Sequence, residues 1–447
     1  MLTRRQFLIG MGAVAASTLV SLACGKKTAF SNANSVGAVI PLDCDWVIEN
    51  VSIIDGTGSL AYPGKVAVKG ENIVAVGDFV YPATSKVIDG QGFVLAPGFI
   101  DIHTHTEDYV HSGESMAAVL SQGVTMQIGG NCGRSPLDIA GYFQTLPHLA
   151  INYGLLIGYA TLREAVIGRV HGKTSPAALS KMQEKLAAGL QSGALGLSTG
   201  LEYFPQNYAT TEELIALCEV VKEYGGFYAT HIRSEYDAVL PALEEAIQIG
   251  IKANLPVQYS HIKAGYQRNW PKFPKIIEML EEAKKSGLDI TSDVYPYTYS
   301  STDLGIKPLR PSISEENMLI AVTHPLVFYG SDSGLYSGGR ASHPRAYGTF
   351  PRYLGYIVRE KNTLPLEKAI AKMSGEPAKR LSLKDRGQIG PGYKADLVLF
   401  DAHEVIDKAT FEHPSVLSEG IRQVWVNGQL AWSEGKVLEN NKGQVIS

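Results

Sequence analysis

The chain has 447 residues, 45% hydrophobic and 19% charged, with 40 basic against 44 acidic side chains and a formal net charge of −4. Low net charge with an ordinary apolar fraction excludes a disordered chain, and the slight acidity leaves no basic face of the kind that binds nucleic acid. At roughly 150 residues per domain the length accommodates three domains, or one α/β barrel of up to about 250 residues with a smaller companion.

At the N-terminus, Thr3-Arg4-Arg5-Gln6-Phe7-Leu8 sets paired arginines before an apolar run, Leu8 to Ala23, which is shorter than the ~20 residues of a membrane span. Residues 1–30 therefore read as an export signal outside the fold, with an uncleaved anchor as the competing reading. The order Thr-Arg-Arg-x-Phe-Leu resembles the twin-arginine signal, which implies export of an already folded protein to the periplasm or to a membrane surface. Ser21-Leu22-Ala23 before Cys24 suits cleavage and is also similar to a lipoprotein box, so Cys24 is a candidate lipid anchor.

Two flanks, 42–95 and 385–447, carry short alternating strands broken by Asp55-Gly56, Lys69-Gly70 and Asp89-Gly90 turns. The strands are Trp46 to Ile54, Lys65 to Val68, Ile73 to Val76 and Lys86 to Ile88, answered by Lys394 to Phe400, Val424 to Val426 and Gln429-Leu430. Neither flank buries an apolar face alone, which predicts one small β-sandwich built from both ends of the chain.

Between them, over 96–384, short apolar runs alternate with helical patterns. The runs are Val94 to His103, Val124 to Gly129, Tyr153 to Tyr159, Ala194 to Thr199, Gly226 to His231, Pro256 to His261, Leu288 to Asp293 and Leu326 to Asp332. Amphipathic helices are clearest in Ala177 to Gln191, Thr211 to Tyr224, Ala238 to Ala253 and Lys275 to Ser286. Strand then helix, repeated, requires parallel pairing, and eight such units close into a (β/α)8 barrel with its chemistry at the C-terminal strand ends. An open doubly wound sheet is the rival, but no G-x-G-x-x-G follows the first strand.

Four cysteines are too few for a disulfide scaffold. Cys218 reads as a buried helix residue and Cys44 as a thiol before the first strand. Cys132 differs, because it follows a strand into the Gly-rich loop Gly129-Gly130-Asn131-Cys132-Gly133. His103 and His105 are two apart and can present imidazoles on one side of a strand. His231, His261 and Asp332 close the fifth, sixth and eighth runs. Six donors at one end of the units point to a metal site, and imidazole, thiolate and carboxylate together favour zinc. His111, His148, His171, His324, His403 and His413 follow no ligand pattern, while Glu202 and Arg233 lie near strand ends.

Pro97-Gly98-Phe99-Ile100-Asp101-Ile102-His103-Thr104-His105 resembles the first-strand motif of the amidohydrolase superfamily, and Pro391-Gly392-Tyr393-Lys394-Ala395-Asp396-Leu397-Val398 is similar to its closing segment. Within it the chain most resembles the N-acyl-D-amino-acid deacylases, or D-aminoacylases. Gly130-Asn131-Cys132-Gly133, His231-Ile232-Arg233-Ser234-Glu235, Ser260-His261-Ile262-Lys263, Asp293-Val294-Tyr295-Pro296-Tyr297, Gly330-Ser331-Asp332 and His343-Pro344-Arg345-Ala346-Tyr347-Gly348 carry that likeness.

The resemblance implies a zinc-dependent hydrolase of linear amides acting on a small-molecule N-acyl-D-amino acid; no obligate protein partner is implied. It places Cys132, His231 and His261 at a tight metal site, with His103, His105 and Asp332 at a second, weaker one. Lys263, Tyr295, Ser301 and Arg345 fall on substrate-binding positions, with Lys263, Tyr295 and Arg345 gripping the carboxylate, and His343 orients the Arg345 loop. The chemistry is consistent: zinc lowers the pKa of its water to about 7, giving a metal-bound hydroxide as nucleophile, and Asp332 can act as general base and then acid. The main alternatives are a cyclic amidohydrolase of the hydantoinase or dihydroorotase type, which usually carries a modified lysine in place of Cys132, and a non-catalytic, metal-holding lipoprotein that binds peptides. One departure stands out: only residues 294–331 separate Asp293 from Asp332, where the family carries a longer insertion over the site, which predicts a more open cleft and, with it, a larger N-acyl group or a dipeptide with a C-terminal D-residue as substrate rather than a small acetyl compound.

Overall fold

The computed structural model describes residues 42–447, apart from 111–112, 147, 302–303, 305–309, 336 and 440. The expected export signal with Cys24, and His111, lie outside the described residues. Among the described residues no helix is long and apolar enough to cross a membrane.

Five strands come first: β1 (Trp46–Ile53), β2 (Tyr62–Lys69), β3 (Asn72–Val76), β4 (Lys86–Asp89) and β5 (Val94–Pro97). The next eleven are β6 (Phe99–Asp101), β7 (Thr104–His105), β8 (Val124–Gly129), β9 (Asn152–Leu155), β10 (Ile157–Gly158), β11 (Gly196–Gly200), β12 (Phe227–His231), β13 (Val257–Tyr259), β14 (Ile290–Val294), β15 (Val327–Tyr329) and β16 (Ser333–Gly334). After the last helix follow β17 (Leu397–Phe400), β18 (Ile421–Val426), β19 (Gln429–Ser433), β20 (Lys436–Val437) and β21 (Val445–Ile446).

Eight barrel positions are filled by β6, β8, β9 with β10, β11, β12, β13, β14 and β15, paired in parallel in that order. Every residue of β11, β12 and β14 is buried, as expected of strands covered on both faces. Helices at Pro176–Gln191, Thr211–Glu223, Val239–Ala253 and Phe273–Lys285 return the chain between strands. Two start on side-chain caps, Ser175 accepting from Ala178 N–H and Thr210 from Glu213 N–H. Cys218 is wholly buried on the second of them.

The barrel closes differently from the rest of its wall. Among the described residues no ladder joins β15 to β6. Instead the Asp101 carboxylate accepts from Ser331 N–H at 2.9 Å and Ser331 Oγ at 2.5 Å, Asp332 N–H donates to the His103 carbonyl at 2.9 Å, and β16 pairs with β7.

The remaining strands form one hydrogen-bonded path, β20-β19-β18-β17-β5-β1-β2-β3, with β4 on β1. The two chain ends meet where β17 runs antiparallel to β5, burying Leu95, Val66, Val68, Leu397, Leu399 and Trp425 in one cluster. Two segments divide differently from their apolar runs. The first run splits at Gly98, with β5 in the nine-stranded sheet and β6 in the barrel, and only glycine fits at that junction, since a Cβ there would enter the Thr125 side chain. β21 leaves the flank to pair in parallel with β9, where Ile446 packs with Ile128, Leu156, Leu195 and Phe227. A buried polar group links sheet and barrel: Asp396 pairs with Arg386 and accepts from Asn427 N–H at 2.7 Å and from Asn152 Nδ2 at 3.0 Å.

Candidate metal centre

The Cys132 loop is held from several sides. Gly130 N–H donates to Glu107 and Ser198 Oγ to the Gly130 carbonyl, while Gly133 N–H reaches Ser198 Oγ at 3.0 Å and Gln206 Nε2 the Cys132 carbonyl at 3.0 Å. This brings Cys132 to φ 53°, and His261 and Asp332 adopt φ 37° and 52°. Left-handed backbone disfavours side chains other than glycine, so three non-glycine residues so placed at one site are over-determined by their surroundings.

The six donors converge. Cys132 Sγ lies 3.6 Å from His103 Nε2 and 3.7 Å from His261 Nε2. His231 Nδ1 is 3.1 Å from His261 Nε2, and among the described residues its buried Nε2 has no hydrogen-bond partner. Asp332 Oδ1 stands 3.2 Å from His105 Nε2 and 3.5 Å from His103 Nε2. Among the described residues, ligand atoms lie within 4.8 Å of one another in three sets: His103, Cys132 and His261; His103, His105 and Asp332; and His231, Glu235 and His261, so His231 groups with Glu235 and His261 and Cys132 with His103 and His261. Thiol and imidazole donors facing one another at these distances, with one buried ring nitrogen unbonded among the described residues, fit a borderline metal such as zinc.

The second ring nitrogens are engaged in turn. His103 Nδ1 meets Asp293 Oδ1 at 3.1 Å, and Asp293 also accepts from His261 N–H and Gln258 Nε2, each at 2.9 Å. This carboxylate on β14, quoted in a motif but given no role from sequence, orients one ligand ring and fixes the backbone of another. Glu235 is the other omission: its Oε1 lies 2.6 Å from Lys263 Nζ and 2.8 Å from His261 Nδ1. Glu202 approaches His231 Nε2 at 3.5 Å, whereas Arg233 turns away to a bidentate pair with Glu245. Tyr203, also unforeseen, packs its ring against that of His231, with centroids 4.6 Å apart and planes tilted by 47°.

Of the expected substrate contacts, Lys263 and Arg345 both lie near the Tyr295 ring, at 5.8 and 4.9 Å from its centroid, and the buried Tyr295 hydroxyl has no hydrogen-bond partner among the described residues. Arg345 Nη1 lies 2.8 Å from Asp332 Oδ2. Nη1 makes no well-angled hydrogen bond, so this contact is chiefly charge attraction. Ser301 joins His105, His343 and Arg345 around a cavity of about 180 Å³. His343 accepts from Arg345 N–H at Nδ1, 3.0 Å, and donates from Nε2 to the Tyr299 carbonyl, 2.9 Å, which ties the Arg345 loop to the loop after β14. Of the other histidines, His171 bonds Tyr208 and His324 meets Glu281; neither reaches the centre.

Electrostatics follow from this crowding. Burial opposes ionising the Cys132 thiol, yet His103, His105 and His231 outweigh it and hold the thiol well below its usual range. Asp332 is likewise kept low against burial by Arg345 and His261. Burial works against charging His105 and His231, but Asp332 with Cys132 lifts the first to about 10, and Glu235 with Cys132 the second to about 10.

A barrel whose strand ends collect six N, S and O donors defines a metal-centred hydrolase frame. Residues 94–431 match the amidohydrolase family. N-acyl-D-aspartate deacylase of Alcaligenes xylosoxydans xylosoxydans is 34% identical over 479 aligned positions, covering 91% of this chain and 96% of the relative. Among solved structures, N-acyl-D-glutamate deacylase from Bordetella bronchiseptica, complexed with zinc and a phosphonate mimic of the tetrahedral intermediate, matches with TM-score 0.83 at 31% identity over 91% of this chain and 100% of that one. A D-aminoacylase studied for its binuclear metal centre, with one-metal activation and second-metal attenuation, matches with TM-score 0.82 at 32% identity over 90% and 99%. The chain belongs to the amidohydrolase family and, within it, to the N-acyl-D-amino-acid deacylases. An alignment of 479 positions on 91% of a 447-residue chain leaves several tens of positions without a counterpart here.

Proposed function

We propose that this chain hydrolyses the amide bond of N-acyl-D-amino acids, dipeptides with a C-terminal D-residue included, in a metal-dependent reaction. The observation that carries the reading is the meeting of two cations, Lys263 and Arg345, with six metal donors at one barrel mouth. A substrate whose carboxylate is separated from its amide nitrogen by a single carbon fits that pairing of charge and metal. The named activities of the relatives support the same class and supply the D preference.

Cys132, His231 and His261 would hold one zinc ion tightly, and His103, His105 and Asp332 a second, weaker one. Zinc there supplies an acidified water for attack and a Lewis acid for the scissile carbonyl. Asp332 takes the proton from the attacking water on its carboxylate and returns it to the departing amine nitrogen. Arg345 and Lys263 bind the substrate carboxylate, the Tyr295 hydroxyl donates to it, and Ser301 bounds the pocket beside them. The cyclic-amide reading lacks support, since Cys132 stands where those enzymes usually carry a modified lysine.

The arginine pair and apolar run at the N-terminus support an exported protein, periplasmic or lipid-anchored at Cys24. Fractionation of cells expressing the wild type and the Arg4→Lys/Arg5→Lys double variant tests this, with export expected to fail in the variant.

The deciding experiment is a hydrolysis panel with zinc-loaded enzyme, using acetyl and longer acyl derivatives of paired D- and L-amino acids, D-terminal dipeptides and cyclic imides. Turnover of the linear D-compounds is expected; a clear L preference, or turnover of cyclic imides alone, would overturn the proposal.

A further inference from the structure

Glu235 stands four positions after His231 and has no part in the steps above. Its side chain is almost wholly buried. One oxygen, Oε1, gathers Lys263 Nζ at 2.6 Å, His261 Nδ1 at 2.8 Å and, farther off, His231 Nδ1 at 4.0 Å. The backbone is pinned on both sides, Glu235 N–H donating to Glu202 Oε2 at 3.2 Å and the Glu235 carbonyl accepting from Gly265 N–H at 2.6 Å.

His261 Nδ1 faces two neighbours with opposite demands. Lys263 Nζ, 3.0 Å away, can only donate, and an imidazole that accepts at Nδ1 carries its proton on Nε2. Nε2 is the atom turned toward Cys132 Sγ, so that tautomer would close it to a metal. The Glu235 carboxylate can only accept; it draws the proton to Nδ1 and leaves the Nε2 lone pair free.

We propose that Glu235 is a positioning residue joining the two halves of the site: it sets the metal-binding tautomer of His261 and, with the same oxygen, holds the Lys263 ammonium in place for the substrate carboxylate. The Lys263 half rests on the function proposed above. The His261 half rests on the donor geometry alone.

Zinc affinity, measured by chelator competition on the full chain, separates the two. Glu235→Ala should weaken zinc binding by about 10- to 100-fold and raise KM for an N-acyl amino acid about tenfold or more, with KM unchanged for the matching N-acyl amine that lacks the carboxylate. Lys263→Met should keep wild-type zinc affinity. In Glu235→Ala/Lys263→Met the competing donor is gone, so zinc affinity should recover while KM stays high. Wild-type zinc affinity in Glu235→Ala, or no recovery in the double variant, overturns the tautomer role; an equal KM rise on the amine overturns the Lys263 role. Glu235→Gln, which preserves shape, is measured alongside with thermal melts, so that a folding defect in the alanine variant does not decide the outcome. If the wild type turns over no N-acyl amino acid, the function fails while the zinc measurements still decide the role of Glu235.

Discussion

The guanidinium of Arg345 lies against the carboxylate of Asp332, Nη1 to Oδ2 at 2.8 Å, with both side chains nearly buried. The group proposed to bind substrate therefore touches the group proposed to move the proton. Removing one partner of a buried pair strands the other, at a cost of about 3–5 kcal/mol. Arg345→Met should lower kcat/KM by about 100-fold or more and lower the melting temperature, with Arg345→Lys recovering part of both. A wild-type KM in Arg345→Met would remove this residue from substrate contact.

Asp332→Asn keeps the shape of the side chain but not its ability to take a proton. Turnover should fall by about 10²- to 10⁴-fold, while one zinc ion per chain remains on the Cys132, His231 and His261 set. Metal analysis and steady-state kinetics on the same preparation check this, and retained activity would end the role of Asp332 as base.

Zinc binding should release protons. With His105 and His231 each raised to about 10, the metal-free rings are charged at neutral pH and must lose a proton to become ligands. Affinity should then rise with pH below 10, and zinc added to weakly buffered apo-protein should acidify the solution. Affinity that does not vary with pH would contradict the proton-loaded cluster. Cys132→Ser should weaken the tight site, read as zinc lost on dialysis.

His343 makes a separate pH prediction. Burial, reinforced by Arg345, lowers its pKa to about 3 from an ordinary 6.5, and its Nδ1 is already used as an acceptor. Between those values the unfolded chain binds the extra proton and the folded chain does not, so stability is kept above 6.5 and lost as pH falls toward 3. His343→Gln should flatten that part of the acid limb in denaturant midpoints measured from pH 7 to 4.

Gly130 tests the loop that carries Cys132. Its φ is 75°, and a Cβ there would run into the Leu156 carbonyl oxygen. Gly130→Ala should cost more than the roughly 1 kcal/mol of an ordinary glycine effect and lower zinc retention, both seen by melting with and without zinc.

Much of this was legible in the sequence. The eight runs overlap the eight barrel positions, even though the strands bury polar residues such as Thr199, Thr230 and Gln258 among their apolar ones, and His231 and Asp293 stand at or near the C-terminal ends of β12 and β14. What escaped is contact between segments far apart in sequence. Nothing about the spacing of His231 and Glu235 shows that the carboxylate reaches across to His261 and Lys263 on the next strand's loop. Asp293 gave a hint, a lone acid ending an apolar strand, yet only the packed barrel turns it onto His103. Val445 and Ile446 are too short a stretch to reveal that they pair with β9. The need for glycine at 98, where the first run divides between sheet and barrel, comes from Thr125, a neighbour that no local pattern reveals.

The closure between β15 and β6 depends on the Asp101–Ser331 contacts and one short bridge, and the metal donors straddle it: His103 and His105 on one bank, Asp332 on the other. An ion held by both banks would act as a rivet across the seam of the barrel wall, and its loss would loosen the wall beside the proposed centre.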